Sequence, residues 1–503
     1  MTNTDNNTVG DTSSYRSIFK ATSLFGGVQV FQILVSIIKS KFVAILLGPA
    51  GVGIQGLFVS GTTFVQSLTA MGLSSSAVRD VAEAYGTHDN YRVGRTVTAL
   101  RKLVWFTGLL GMLCVILFSP ILSKYAFGNK DYTIPFIFLS VTLLIDQLSA
   151  GQKVVLQGTR RLKDLAKASA LGSSVGLIVS IPLYYLIGVK GIVPTLILNS
   201  VTMLILTWYF SRKIKIEKVG VSNKEAIEVG SSMLKMGFAM SLTNILALGC
   251  SFVLRGYIRQ IGGTEGVGLY AAGFAILSSY VGMVFNAMST DYYPRLAAVN
   301  NNNEACREVV NKQGEIASLI MCPLVVICLV FTPFFITLLY SEKFLTANNY
   351  VMIAALGMFF KMGSWLIAYQ FIAKGESKLF VINEFIANIY FFALNVLGYR
   401  LFGLTGLGIS FTIGYFCYFL QVFIISKKRY SFDFSLSFFK LFSIQIVVVA
   451  ICFLITRCIH ITWIKYLLGC IIIAFSLVFS LFGLDKRIAL IKLIKTKFKR
   501  NDK

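Results

Sequence analysis

Eight charged residues carry the chemistry open to this sequence, because each lies in or beside a long apolar run. Lys39, Lys41, Arg255 and Lys361 are basic, Asp146 and Glu384 are acidic, and Arg79 and Arg295 flank two of the runs. A charge at the centre of a membrane helix costs about 2.5–3.5 kcal/mol on insertion scales, so each marks a functional position by default. Cations converging on one cavity would receive a diphosphate or another multiply acidic group, which accepts charge-assisted hydrogen bonds from several bases at once. Blander readings stand beside this one. Lys39, Lys41 and Arg255 can snorkel to the interface, whereas Lys361 is too deep to do so easily. Glu384 can pair with Lys361 from the next helix, and Asp146 can meet Lys361 as a latch. Either carboxylate can instead carry a coupling proton or sodium ion. Arg79 and Arg295 suit an inner mouth, or serve only to fix topology.

Catalysis finds little support. The two histidines, His88 and His460, have no partner carboxylate at metal or triad spacing, and no GxSxG, P-loop or HExxH run occurs. The nine cysteines are scattered without CxxC spacing and read as small packing residues, with no metal centre. Without a nucleotide motif, any transport must be driven by an H+ or Na+ gradient, by the substrate's own gradient or by its downstream consumption.

These charges need apolar elements to hold them, and composition supplies them. The 503 residues are 56% hydrophobic and only 14% charged, with a mean hydropathy of +0.73. Apolar runs of this length cross the ~30 Å hydrocarbon layer as helices. Fourteen are expected, at about 18–46, 52–76, 103–123, 133–157, 165–187, 191–210, 232–257, 265–290, 315–340, 348–373, 377–399, 403–426, 437–456 and 463–483. No apolar leader precedes them, so the first helix is expected to direct insertion. Most of the 47 Lys and Arg fall in alternate connections, notably 77–102, 211–231, 291–314 and the tail after Gly483. The positive-inside rule then puts both termini in the cytoplasm. It also explains the net charge of +25 without nucleic acid.

A repeat organises the helices. Leu47-Gly-Pro-Ala-Gly-Val-Gly-Ile-Gln55 returns as Gly262-Gly-Thr-Glu-Gly-Val-Gly-Leu-Tyr270, and Leu186-Ile-Gly-Val-Lys-Gly-Ile192 as Leu401-Phe-Gly-Leu-Thr-Gly-Leu407. Phe118-Ser-Pro120 is echoed by Phe331-Thr-Pro333 at nearly the same offset, and Asp146 maps onto Lys361. Each copy holds an even number of helices, so the copies are parallel repeats about an axis along the membrane normal. The expected architecture is an all-α membrane protein with two six-helix lobes, 16–210 and 231–426, joined by a basic linker, 211–230. Two further helices fill 427–484. A polar tail, 1–15, is expected to be disordered. A basic tail, 485–503, is expected to lie on an anionic leaflet or to act as a simple anchor. The repeated glycines read as tight turns and close helix approaches rather than a ligand loop.

The segments 47–55, Phe127-Gly-Asn-Lys-Asp-Tyr132, Thr290-Asp-Tyr-Tyr-Pro-Arg-Leu296 and Ser341-Glu-Lys-Phe344 resemble those of Wzx-type flippases for O-antigen and related lipid-linked oligosaccharides. These belong to the multidrug/oligosaccharidyl-lipid/polysaccharide exporter superfamily. The span from Lys361 through Ile372-Ala-Lys-Gly375 to Asn383-Glu384 is similar to the corresponding part of lipid III flippases. The resemblance covers about residues 16–430. It implies an inner-membrane transporter that moves an undecaprenyl-diphosphate oligosaccharide to the periplasmic leaflet by alternating access. It also implies a cationic cavity, fitted here by Lys39, Lys41, Arg255 and Lys361, and a polysaccharide polymerase with its chain-length machinery as partners. Relatives of this type commonly have twelve helices, so the last two depart from the pattern. The alternatives are a multidrug or organic-cation antiporter, whose cavity should be acidic, and a polysaccharide polymerase, which needs a large outer loop.

Overall fold

The computed structural model describes residues 6–459 and 461–488, and every regular element among them is helical. Ten helical runs are long and apolar enough to cross a membrane, which makes this a multi-pass membrane protein. His460 and the basic tail from residue 489 lie outside the described residues. The chain forms two compact units, residues 1–268 and 269–503.

In the first unit, α1 runs from Asn6 to Thr69 and bends at Gly48, so of the expected polar tail only residues 1–5 are outside the described residues. The short helix α2 (Leu73–Gly86) leads to α3 (Asn90–Phe127), α4 (Thr133–Gly158), α5 (Leu162–Ile187) and α6 (Ile192–Ser211). The basic stretch 77–102, expected as a loop, is thus mostly helical. Its apolar residues recur at helical spacing: Leu73, Ala77, Val81 and Ala84 of α2 bury against Val93, Val97, Leu100 and Val104 of α3. Charged residues on the opposite faces lower the mean hydropathy, which is why the stretch does not read as an apolar run.

Residues 212–222 form the irregular linker, and its backbone at Glu217 lies where a side chain on Gly94 would collide with it. Helix α7 (Asn223–Ala275) then starts on a reciprocal cap. Ser222 N donates to Glu225 Oε2 at 2.7 Å, and Glu225 N donates to Ser222 Oγ at 3.2 Å. As far as Gly268, α7 runs antiparallel along the second half of α1. Its contacts pass from Gly237 against Gly72, through Gly249 against Phe64 and Arg255 against Gly56, to Thr264 against Gly53.

In the second unit, α8 (Met283–Ala298) is followed by α9 (Asn303–Leu339), α10 (Asn348–Ala373) and α11 (Ser377–Tyr430). The stretch 291–314 is therefore also largely helical. Helix α11 turns back on itself at Gly403. Ser410 Oγ donates to Leu394 O at 2.6 Å, Gln421 Nε2 to Asn383 Oδ1 at 2.7 Å, and Arg429 Nε to Glu376 Oε1 at 2.9 Å, the spacing of an antiparallel hairpin. Helices α12 (Leu436–Cys458) and α13 (Thr462–Ile488) match the two expected C-terminal helices and pack on α9.

The sequence echoes are echoes of backbone geometry. Gly48 (φ 66°, ψ −175°) and Gly263 (φ 66°, ψ −173°) make the same bend. Gly188 (φ 55°, ψ −132°) and Gly403 (φ 57°, ψ −139°) make another. Each of the latter is followed by a glycine pressed on a carbonyl eight residues back, Gly191 on Leu183 and Gly406 on Gly398. Helices α4 and α10 share both length and stop signal. Arg161 N bonds to Leu156 O at 2.8 Å, and Glu376 N bonds to Phe371 O at 2.9 Å.

Candidate functional site

Three of the singled-out cations sit at one level of two equivalent helices. Measured back from the equivalent bends at Gly48 and Gly263, Arg255 falls at the register of Ser40, between Lys39 and Lys41. At 1.5 Å per residue all three lie about 10–14 Å from their bend. Both lysines and the arginine are half-buried. Arg255 Nη1 donates to Gly56 O at 3.3 Å, and a side chain at position 56 would press against that nitrogen. The glycine admits the guanidinium against the α1 backbone.

Asp146 and Lys361 occupy the same place in the two 26-residue helices α4 and α10. Their surroundings differ in kind. Asp146 faces the Ser200 hydroxyl of α6 and lies within electrostatic reach of Lys153, two turns further along its own helix. The Lys361 ammonium is set among rings, 5.3 Å from the centroid of Tyr415 and 5.9 Å from those of Phe285 and Phe411. Such rings attract a cation by their quadrupole without neutralising it.

The expected Lys361–Glu384 pair is not formed among the described residues. Glu384 Oε1 instead accepts a hydrogen bond from the Tyr418 hydroxyl across the α11 hairpin. Arg79 and Arg295 are exposed: Arg79 Nη1 contacts Met236 Sδ at 3.5 Å, while Arg295 pairs with Asp291 at 2.8 Å and Gln313 at 2.7 Å. They stand 216 residues apart, one more than the bends.

Sequence reasoning missed Lys153, the rings around Lys361 and the Tyr418 donor. Lys153 was legible, since it lies inside the apolar run of α4; the other two require knowing how helices pair. A groove of about 760 Å³ was also missed. It is walled by Ile54, Phe58, Pro135, Phe138 and Pro194, with Lys190 at its edge, and belongs to the first unit.

The sequence matches a family described as polysaccharide biosynthesis protein over residues 42–349, more than half of the chain. It is 22% identical over 380 residues to the lipid III flippases of Escherichia coli (strain K12) and Shigella flexneri, covering 73% of this chain and 88% of each relative. Among solved structures, a multidrug resistance MATE family transporter of the MOP superfamily, in an inward-facing conformation, aligns with a TM-score of 0.69 at 17% identity. That alignment covers 80% of this chain and 94% of the transporter. The lipid II flippase MurJ, in an inward closed conformation, aligns with a TM-score of 0.65 at 12% identity, covering 94% of this chain and all of the flippase. The fold is that of the MOP superfamily transporters.

Proposed function

The chain belongs to the polysaccharide biosynthesis protein family, and from that premise we propose that it is a flippase for an undecaprenyl-diphosphate-linked oligosaccharide. It moves the lipid from the cytoplasmic to the periplasmic leaflet of a bacterial inner membrane by alternating access. Its function is transport rather than catalysis. Lys39, Lys41 and Arg255 in the first unit, with Lys361 in the second, bind the diphosphate, and Arg79 and Arg295 stand at the inner mouth. In this reading the four bent runs, at Gly48, Gly188–Gly191, Gly263 and Gly403, each cross twice. That gives fourteen spans in two parallel lobes, with both termini inside.

The observation that carries the reading is the level shared by Lys39, Lys41 and Arg255 within apolar helices. Three cations held at one depth cost several kcal/mol of insertion free energy, and an acidic head group is the ligand that returns it. Similarity to lipid III flippases over most of their length supports the lipid-linked substrate.

The test is leaflet accessibility in proteoliposomes loaded with an undecaprenyl-diphosphate oligosaccharide. Wild type is compared with the double substitution Arg255→Ala/Lys361→Ala, alongside an organic-cation uptake control. Lipid transfer that depends on the two cations is the expected result. Cation uptake without lipid transfer would assign the chain to the drug antiporters. Transfer that survives the double substitution would remove the assigned binding residues.

A further inference from the structure

Glu384 lies in the first half of α11, about 10 Å from its Ser377 end at 1.5 Å per residue. Ile382, Phe385, Ile386 and Ile389 are exposed on one side of this helix. Glu384, with buried Asn383 and half-buried Asn388, faces the returning half. A lone carboxylate in such a place is costly unless it is paired or neutralised. Asp146 has Lys153 within reach, whereas no lysine or arginine forms an ion pair with Glu384 among the described residues.

What Glu384 has instead is hydroxyls. Tyr418 donates to its Oε1 from the returning half. Tyr390, six residues beyond Glu384 in the first half, lies within electrostatic reach of Glu384, and its hydroxyl is buried without a hydrogen-bond partner among the described residues. The other groups near this carboxylate are Tyr415 and Cys417 beside Tyr390, and Lys361 of α10 against the Tyr415 ring. Polar pairs recur from the turn at 374–376 toward this point. Ser426 bonds to Gln370 at 2.5 Å between α11 and α10, and Gln421 to Asn383 at 2.7 Å across the α11 hairpin. The first copy has Ser169, Val175 and Met203 at the registers of Glu384, Tyr390 and Tyr418, so only the second copy carries this device.

We propose that Glu384 is a proton-binding site that loads and unloads once per transport cycle. On loading, the carboxylate takes a proton from hydronium and leaves water. The new O–H then donates to the Tyr390 oxygen, while Tyr418 keeps its bond to Oε1. On unloading, water on the other side of the membrane takes the proton back. A hydroxyl that donates to the carboxylate suits a proton rather than a sodium ion, which needs lone pairs turned toward it. Loading alters the charge next to the Tyr415–Lys361 contact, which couples the proton to the cation assigned to the substrate. This coupling rests on the transport reading above, whereas the proton site itself does not.

The experiment uses the full chain in liposomes with two readouts. Infrared difference spectra between acidic and alkaline buffer should show a protonated-carboxyl band in wild type. The share of this band that belongs to Glu384, obtained as wild type minus Glu384→Gln, should shift in Tyr418→Phe and return in Glu384→Asp. An imposed pH gradient should accelerate lipid transfer by wild type and leave transfer by Glu384→Gln at its gradient-free rate. A band that persists unchanged in Glu384→Gln, or gradient acceleration that survives the substitution, would overturn the proposal. Wild type that moves no lipid under any gradient would refute the transport reading and the coupling with it, while the band would still decide the proton site.

Discussion

Gly48 and Gly263 hold one backbone conformation 215 residues apart, with φ at 66° in both and ψ at −175° and −173°. This region of φ/ψ space is essentially reserved for glycine, and a side chain there costs about 1–3 kcal/mol. Nothing lies within 4 Å of a Cβ added at either position, so the penalty is purely conformational. Gly48→Ala and Gly263→Ala should therefore lower thermal stability by similar amounts, read as melting of the detergent-solubilised protein. Gly53→Ala and Gly268→Ala should cost more. Their added Cβ atoms would fall 1.8 Å from Thr264 O and 1.9 Å from Pro49 O, and backbone cannot move aside cheaply. Equal melting across all four variants would show that these approaches are loose.

Helix α13 is held on α9 by the buried Ser476–Cys322 contact, by Tyr466 stacked on Phe331 and, near its end, by an ion pair. Arg487 Nε meets Glu315 Oε2 at 2.5 Å, and Arg487 Nη1 also donates to Gly483 O at 3.1 Å. The pair is mostly shielded, with 25% and 16% of the two side chains exposed. Removing one partner strands the other, at a cost of about 1–3 kcal/mol. Arg487→Ala should lower the melting temperature and speed backbone amide exchange in 462–488 ahead of the rest of the unit. The double variant Arg487→Met/Glu315→Leu should recover much of that loss, because two apolar groups leave no unpaired charge. No recovery would mean that the arginine acts through its other contacts.

The start of α7 should respond to acid. Hydrogen bonds from the Ser222 backbone and hydroxyl hold the Glu225 carboxyl below the usual glutamate range. A carboxyl held low contributes stability that is complete above its unfolded value, about 4.3, and is lost as pH falls through the lower folded value. Amide protection at 222–228, with the intrinsic pH dependence of exchange divided out, should fall on acidification through that window and stay constant between neutral pH and about pH 5. Glu225→Gln should remove the pH step. A step that persists in the variant would assign it to another group.

Much of this frame was legible because its signals are local. The glycine echoes at 48 and 263, and at 188 and 403, became bends of matching geometry. Hydropathy located the apolar runs but not their polar ends. Thus α3 begins at Asn90 rather than near 103, because Val93, Val97 and Leu100 extend the helix on one face only. Partner choice was the part that could not be read. Glu384 and Lys361 are each compatible in type and neighbouring in sequence, yet the α11 hairpin presents Tyr418 to the carboxylate and Tyr415 to the ammonium. Which residue meets which depends on the register of two returning helices, and no short motif encodes that.

Lys361 offers a way to separate function from structure. Its ammonium has rings around it and no ion-pair partner among the described residues, so the fold gains at most a cation–π attraction of about 0.5–2 kcal/mol. Against that stands the cost of holding a charge in an apolar helix, about 2.5–3.5 kcal/mol. A methionine fills similar space and packs well against Phe285, Phe411 and Tyr415. Lys361→Met should therefore melt at or above the wild-type temperature while losing lipid transfer in proteoliposomes. Lys361→Arg should keep part of the transfer, since the charge remains although the guanidinium is planar and larger. A clear drop in melting temperature for Lys361→Met would make Lys361 a structural residue held by its aromatic neighbours. Undiminished transfer in the same variant would remove it from the proposed diphosphate site.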